Sequence, residues 1–193
     1  MLSLFTPTRA IELVATTAGI FNLYFAARAS IWNWLFGAIA VSLFFIVFIT
    51  SKLYADALLQ LFYLIIQLYG WYAWRQNSHH KETIMHLPRR AFFMGIIAFI
   101  VLDFFFIYLL KNFTDSTTVM LDALNTSLSL VAQWMMIRKW IENWWVWTLA
   151  NIVAIDMYIT KSLYMTCGLY CLFILFNFYG YWCWSKIKNL RGA

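Results

Sequence analysis

Apolar residues run along this chain in seven long blocks, separated by short polar interruptions. A bilayer hydrocarbon core of about 30 Å asks for about 20 apolar residues per helix. Windows of that kind predict transmembrane helices near 10–28, 34–50, 54–75, 91–110, 119–137, 144–160 and 162–184. The one long polar stretch, 75–90, contains Asn77, Ser78, His79, His80, Lys81, Glu82 and Pro88, which is loop chemistry. The breaks at 51–53 and 161–162 are so short that helices two and three, and six and seven, are expected to form tight antiparallel hairpins.

Composition agrees with this reading. The 193 residues are 64% hydrophobic and 11% charged, against about 45–50% apolar and 25% charged in soluble domains. Seven spans use up the length and leave no soluble domain. The three cysteines, Cys167, Cys171 and Cys183, fall within one apolar block without a nearby histidine and read as packing residues. The net charge of +6 could suggest nucleic acid, but the basic residues stand at the ends of the apolar blocks, where anchoring at a lipid bilayer explains them; nucleic acid is rejected as a partner. Residues 1–9 lack the pattern of a cleaved signal peptide, so the first helix is expected to direct insertion. Arg9, Lys52, Lys111 and Lys161 lie on the N-terminal side, and the other ten Lys and Arg on the opposite side. The chain should therefore begin outside and end in the cytoplasm.

The chain also repeats itself at an offset of 110. Residues 16–74 lie over 126–184 without a gap, with 14 identities in 59 positions, among them Arg28/Arg138, Asn33/Asn143, Trp34/Trp144, Tyr69/Tyr179, Gly70/Gly180 and Trp74/Trp184; about 5 are expected by chance in so biased a composition. This divides the chain into a three-helix repeat (10–75), a cytoplasmic loop (76–90), a linker helix (91–111) and a second three-helix repeat (119–185). The odd linker lets both copies point the same way. Parallel repeats of this 3+1+3 kind are a transporter plan that holds substrate near the midplane.

Polar residues within spans are costly and tend to face a cavity or one another. Helix five carries Asp122, Thr126, Ser129 and Gln133 on one face, and helix three carries Asp56, Gln60, Tyr63 and Gln67 likewise. Such stripes also serve as glue between helices, but two of them in one chain favour a polar cavity. Helix six opens with Asn143, Trp144, Trp145, Val146 and Trp147, and Asn151 shares a face with Trp144 and Trp147. Asn151 stands about 10 Å deeper than Trp144 at 1.5 Å per residue. Tryptophans at a helix start are often interfacial belt residues; aromatic faces leading to an amide also suit a flat cationic heterocycle. Asn177 completes the candidate substrate-binding set of Trp144, Trp147, Asn151, Gln60, Gln67, Tyr63, Thr126, Ser129, Gln133 and Asn177. Asp103, mid-span in the linker helix, reads as an oligomer contact or a hydrogen-bonding group, with proton coupling as the alternative, and Glu12 and Asp122, 110 apart, read as structural.

Two segments carry a family resemblance. Leu53-Tyr54-Ala55 through Gln60 to Tyr69-Gly70-Trp71-Tyr72-Ala73-Trp74, and Arg138-Lys139-Trp140-Ile141-Glu142-Asn143-Trp144-Trp145-Val146-Trp147 followed by Asn151, resemble the PnuC vitamin transporters, the second through a Trp-x-x-Trp-x-x-x-Asn signature. The resemblance extends from Glu12 to Trp184. It implies an all-α fold like that of a sugar-transporting SWEET protein, a homotrimer in the bacterial inner membrane, and facilitated uptake of a nonphosphorylated B-vitamin precursor trapped by a cytoplasmic kinase. It also implies binding and gating roles for Trp144, Trp147 and Asn151. Gln67 departs from the family pattern, which has asparagine two residues before Tyr-Gly-Trp.

Nicotinamide riboside, a pyridinium cation on a ribose, suits both the aromatic and the amide groups, with thiamine as the alternative cargo and a non-transporting scaffold as the alternative of another class. No cofactor is implied. An enzyme would need a nucleophile, base or metal cluster in the spans, whereas His79, His80 and His86 all lie in the loop.

Overall fold

The computed structural model describes residues 7–50, 54–76, 84–114, 118–160 and 164–191. They form seven helices: α1 (Pro7–Ala27), α2 (Trp32–Thr50), α3 (Tyr54–Gln76), α4 (Arg89–Phe113), α5 (Val119–Ile137), α6 (Asn143–Thr160) and α7 (Tyr164–Arg191). The shortest, α6, has 18 residues, about 27 Å at 1.5 Å per residue, so each helix is long enough for the hydrocarbon layer. Among the described residues, stretches long and apolar enough to cross a membrane lie in α2, α4 and α7. The polar stripes of α3 and α5 dilute their own windows. Both ends of the sequence-predicted α5 agree with the structure, whereas α4 and α7 run further, to Phe113 and Arg191. The extra turns carry Arg89 and Arg90 in α4, and Lys186, Lys188 and Arg191 in α7. A helix can continue past the apolar layer with its charges in water. The hairpin residues 51–53 and 161–163, and the loop residues 77–83 with His79 and His80, lie outside the described residues.

The chain divides into two compact units, 1–82 and 83–193. In the first, α2 packs against both α1 and α3; in the second, α6 packs against both α5 and α7, and α4 packs against α5. The helix predicted as a linker thus belongs to the second unit. Small side chains allow the close approach: Ala15, Ala18 and Ala26 line one buried face of α1, and Ala150 and Ala154 one of α6.

Both units close their first helical hairpin in the same way. Ala29 and Lys139, 110 apart, have φ of 50° and 55°. Around them, Ala29 N donates to Ala26 O (3.0 Å) and Ser30 N to Phe25 O (3.0 Å), while Lys139 N donates to Met136 O (3.0 Å) and Trp140 N to Met135 O (3.1 Å). This pair of bonds is the Schellman ending of a helix, here built without the usual glycine. In the second unit the segment before α4 docks on this turn: Met85 N donates to Lys139 O (3.1 Å) and Ile141 N to Met85 O (3.0 Å). Glu142 then accepts from Leu87 N (2.8 Å) and pairs with His86 Nδ1 (2.8 Å). Lys188 of α7 reaches the other ring nitrogen of His86.

Candidate functional site

The middle helix of each unit opens with an asparagine and a tryptophan, and both are driven inside. Asn33, Trp34, Asn143 and Trp144 are at most 2% exposed. In the first unit the Trp34 ring lies on Gly70 and meets Trp74 edge-on, with centroids 5.4 Å apart at 83°. In the second unit Trp144 lies on Gly180 and meets Trp184 edge-on, 5.5 Å apart at 86°. A Cβ at Gly70 would come within 2.5 Å of Trp34 Cη2, and one at Gly180 within 2.5 Å of Trp144 Cζ2. Each glycine is therefore the seat of an indole. Trp144, taken from the sequence as a binding aromatic, is packed between α6 and α7. Its Nε1 has no hydrogen-bond partner, and neither has that of Trp34.

Beyond this shared scaffold the units differ. In the first, Gly37 of α2 faces Gln67 of α3 so closely that a Cβ would lie 2.6 Å from the amide carbon, oxygen and nitrogen. In the second, the positions 110 further on are Trp147 and Asn177. The long amide thus goes with the missing side chain and the short amide with the large indole. Trp147 is half-buried and Asn177 buried, and Trp147 Nε1, Asn177 Nδ2 and Gln67 Oε1 are buried without a hydrogen-bond partner. Buried polar atoms are nearly always satisfied, so each of these retains the capacity for a hydrogen bond within its own unit. Asn151, 7% exposed, stands where the first unit has Val41.

Of the other sequence candidates, Thr126 donates to Asp122 O one turn back (2.8 Å), which occupies its hydroxyl within α5. Thr118 donates to the Asp122 carboxylate (3.1 Å) at the start of that helix. Ser129 and Gln133 on α5, and Gln60 and Tyr63 on α3, are half-buried. The side chains of Asp56 and Glu12 lie outside the described residues. Asp103 is half-buried in α4, with Oδ1 buried and unpartnered. Three polar groups were not singled out from the sequence: Asn33 and Asn143, whose Oδ1 atoms are buried without partners, and Ser127, fully buried with an idle hydroxyl. Identity across the repeat was the available signal for the asparagines. Ser127, one residue off the polar stripe, had none.

Long apolar helices in bundles that keep polar atoms inside define a polytopic membrane protein. The model of the family described as nicotinamide mononucleotide transporter matches residues 9–186, and the chain belongs to that family. It is 29% identical over 210 residues to the nicotinamide riboside transporter PnuC of Escherichia coli (strain K12), covering 95% of this chain and 88% of that protein. A Neisseria mucosa nicotinamide riboside transporter PnuC is 30% identical over 197 residues, 95% of this chain and 74% of that one. The crystal structure of a vitamin B3 transporter PnuC superposes with a TM-score of 0.75 at 29% identity, covering 96% of this chain and 84% of the other. The PnuC resemblance of the two sequence segments is borne out.

Proposed function

We propose that this protein carries nicotinamide riboside across the bacterial inner membrane by facilitated diffusion. The observation that carries the reading is that α6 and α7 hold, beside the half-buried Trp147, two buried amides, Asn151 and Asn177, with the indole N–H and an Asn177 amide nitrogen unengaged. An indole face attracts the pyridinium cation, while amides supply the donors and acceptors that a ribose and a carboxamide need. The relatives named for nicotinamide riboside support the same cargo.

The family's own description names the mononucleotide, and the chemistry separates the two. A phosphate calls for Arg or Lys, and every Lys and Arg of this chain lies at or beyond a helix end. The nonphosphorylated riboside therefore fits better. Phosphorylation by a cytoplasmic kinase would then trap the product inside, since the route lacks the charges to return it. Basic residues concentrate at the C-terminal end of α3, the N-terminal end of α4, the junction of α5 and α6 and the end of α7, which supports an outer N-terminus and a cytoplasmic C-terminus. The 3+1+3 plan with parallel repeats, and assembly as a homotrimer, complete the reading on the strength of the internal repeat and the family resemblance.

The test is binding and liposome uptake across nicotinamide riboside, its mononucleotide and thiamine, with Asn151→Leu as the variant. The riboside should bind best, and Asn151→Leu should weaken it at least tenfold, about 1.4 kcal/mol, with an unchanged elution profile. Preference for thiamine would overturn the cargo, and normal riboside binding by the variant would remove α6 from the site.

A further inference from the structure

The second unit contains a second concave surface, separate from the substrate candidates. The helices α4, α5 and α6 form a cleft of about 490 Å³. It runs from Leu87, just before α4, to Phe99, from Leu124 to Met135 along α5, and from Glu142, just before α6, to Val153. These stretches are 13, 12 and 12 residues long; the α5 wall, helical throughout, rises about 16 Å over its 11 steps at 1.5 Å per residue, and one leaflet of the hydrocarbon core is about 15 Å deep.

The lining is apolar apart from Glu142 at one end, and that carboxylate is already engaged by Leu87 N and His86. Ordered water needs two to four polar partners, so the cleft does not hold a water chain. It is open along its length: Phe92, Ile96, Trp145 and Leu149 on its walls are exposed. Gly95 keeps it deep, because the nearest atoms to a Cβ there are Trp134 Cζ3 at 3.7 Å and Val131 Cγ1 at 4.0 Å. The end with Glu142 is the basic end of the unit. Arg89 lies three and seven residues before the wall residues Phe92 and Ile96, so it shares their face of α4. Arg90 is beside it, both are exposed, and the first turn of α4 contains no acid.

We propose that this cleft binds one anionic membrane phospholipid, with an acyl chain lying along α4 and the phosphate held by Arg89 and Arg90. The length fits one leaflet, the walls suit a hydrocarbon chain, and the charge at the mouth selects the headgroup. By the orientation given above this is the cytoplasmic leaflet, where anionic lipids draw basic residues to the surface. A second copy of the chain would cover the apolar walls equally well but gives the unopposed arginines no partner.

The full-length protein, purified in mild detergent and exchanged into nanodiscs of phosphatidylglycerol and phosphatidylcholine, provides the assay, with bound lipid counted by native mass spectrometry. About one phosphatidylglycerol per chain is expected. Each of Arg89→Gln and Arg90→Gln should reduce its preference over phosphatidylcholine about fivefold, the effect of one basic residue at a membrane surface. Gly95→Leu should fill the cleft and displace either lipid, with Gly168→Leu as a control, since Gly168 has no atom within 4 Å of a Cβ. Equal retention of both lipids by the unmodified protein would overturn the proposal. So would a Gly95→Leu protein that keeps its lipid, or one that loses its oligomeric state with lipid unchanged, which would assign the cleft to a second copy. The arginine variants lie on the surface and spare the core, so the headgroup arm stands even if Gly95→Leu fails to fold.

Discussion

The seating of an indole on a glycine in each unit makes a quantitative prediction with a sign reversal. Adding one methyl at Gly180 puts carbon 2.5 Å from Trp144 Cζ2, where ordinary carbon contacts begin near about 3.5 Å. Ring and helix must separate by about 1 Å. Trp144 is 2% exposed, and the ring it meets edge-on, Trp184, is 0% exposed, so no free volume takes up the movement. Overpacking of this kind costs about 1–3 kcal/mol, while the better helix propensity of alanine returns about 0.5–1 kcal/mol. A net loss of about 1–2 kcal/mol lowers the melting temperature by roughly 2–8 °C for a chain of this size.

Gly168, on the same helix, has nothing within 4 Å of a Cβ. There only propensity acts, and Gly168→Ala should raise stability by up to about 1 kcal/mol. Thermal unfolding in detergent, followed by tryptophan fluorescence and by size exclusion of the heated sample, reads both. Trp144→Phe in the Gly180→Ala background should recover part of the loss, with a coupling of about 0.5–3 kcal/mol. Gly70→Ala should behave as Gly180→Ala does, through Trp34. If Gly180→Ala shifted stability in the same direction as Gly168→Ala, the seat would not exist.

Gly37→Ala should leave the melting temperature nearly unchanged, because the group it meets is the movable end of Gln67, yet alter riboside affinity at least twofold, about 0.4 kcal/mol; calorimetry on the purified variant checks both halves, and an unchanged affinity removes Gln67 from the site. Trp147→Phe should keep most of the affinity for the cationic vitamin and Trp147→Leu lose about 2 kcal/mol of it, with the neutral reduced riboside nearly indifferent to either; equal losses with both ligands would mean that Trp147 acts by shape. Ala29→Gly and Lys139→Gly should each stabilise the protein by up to about 1 kcal/mol, by relieving a left-handed backbone that favours glycine; a lower melting temperature in either would show that the turn is not under strain.

The number and extent of the helices were legible because a bilayer demands one simple property, length of apolar chain. What escaped followed other rules. The ends of α4 and α7 extend into charged residues, which the hydropathy criterion excludes although hydrogen bonding continues along the helix. The two Schellman turns contain alanine and lysine at φ of 50° and 55°, so no glycine announced them. The docking of Met85, His86 and Leu87 on Lys139, Ile141 and Glu142 joins segments more than 50 residues apart, and no local pattern encodes such a meeting. On α6 the sequence placed Trp144, Trp147 and Asn151 on one face but could not divide it. Trp144 and Trp147 look alike in a Trp-x-x-Trp motif; only the glycine beneath Trp144 distinguishes the packing indole from the half-buried one.

That distinction has a counterpart at the repeated positions that are buried in both copies. Asn33 and Asn143, Trp34 and Trp144, Gly70 and Gly180, and Trp74 and Trp184 are kept and buried in both copies, where the indoles and their glycines build the same contacts twice, whereas Tyr69 and Tyr179, or Leu59 and Leu169, are kept and exposed. Where they part, as at Gly37 and Trp147, Val41 and Asn151, Tyr63 and Phe173, and Gln67 and Asn177, the exchange is between aromatic, aliphatic and amide groups, the chemistry that recognises a ligand. A seat for an indole is costly to rebuild, which holds Gly70 and Gly180 to glycine beneath Trp34 and Trp144. In the proposed transporter Trp147 and Asn151 on α6 are the cation's contacts within the second unit, and the Gln67 amide seated over Gly37 is tested on its own, by Gly37→Ala.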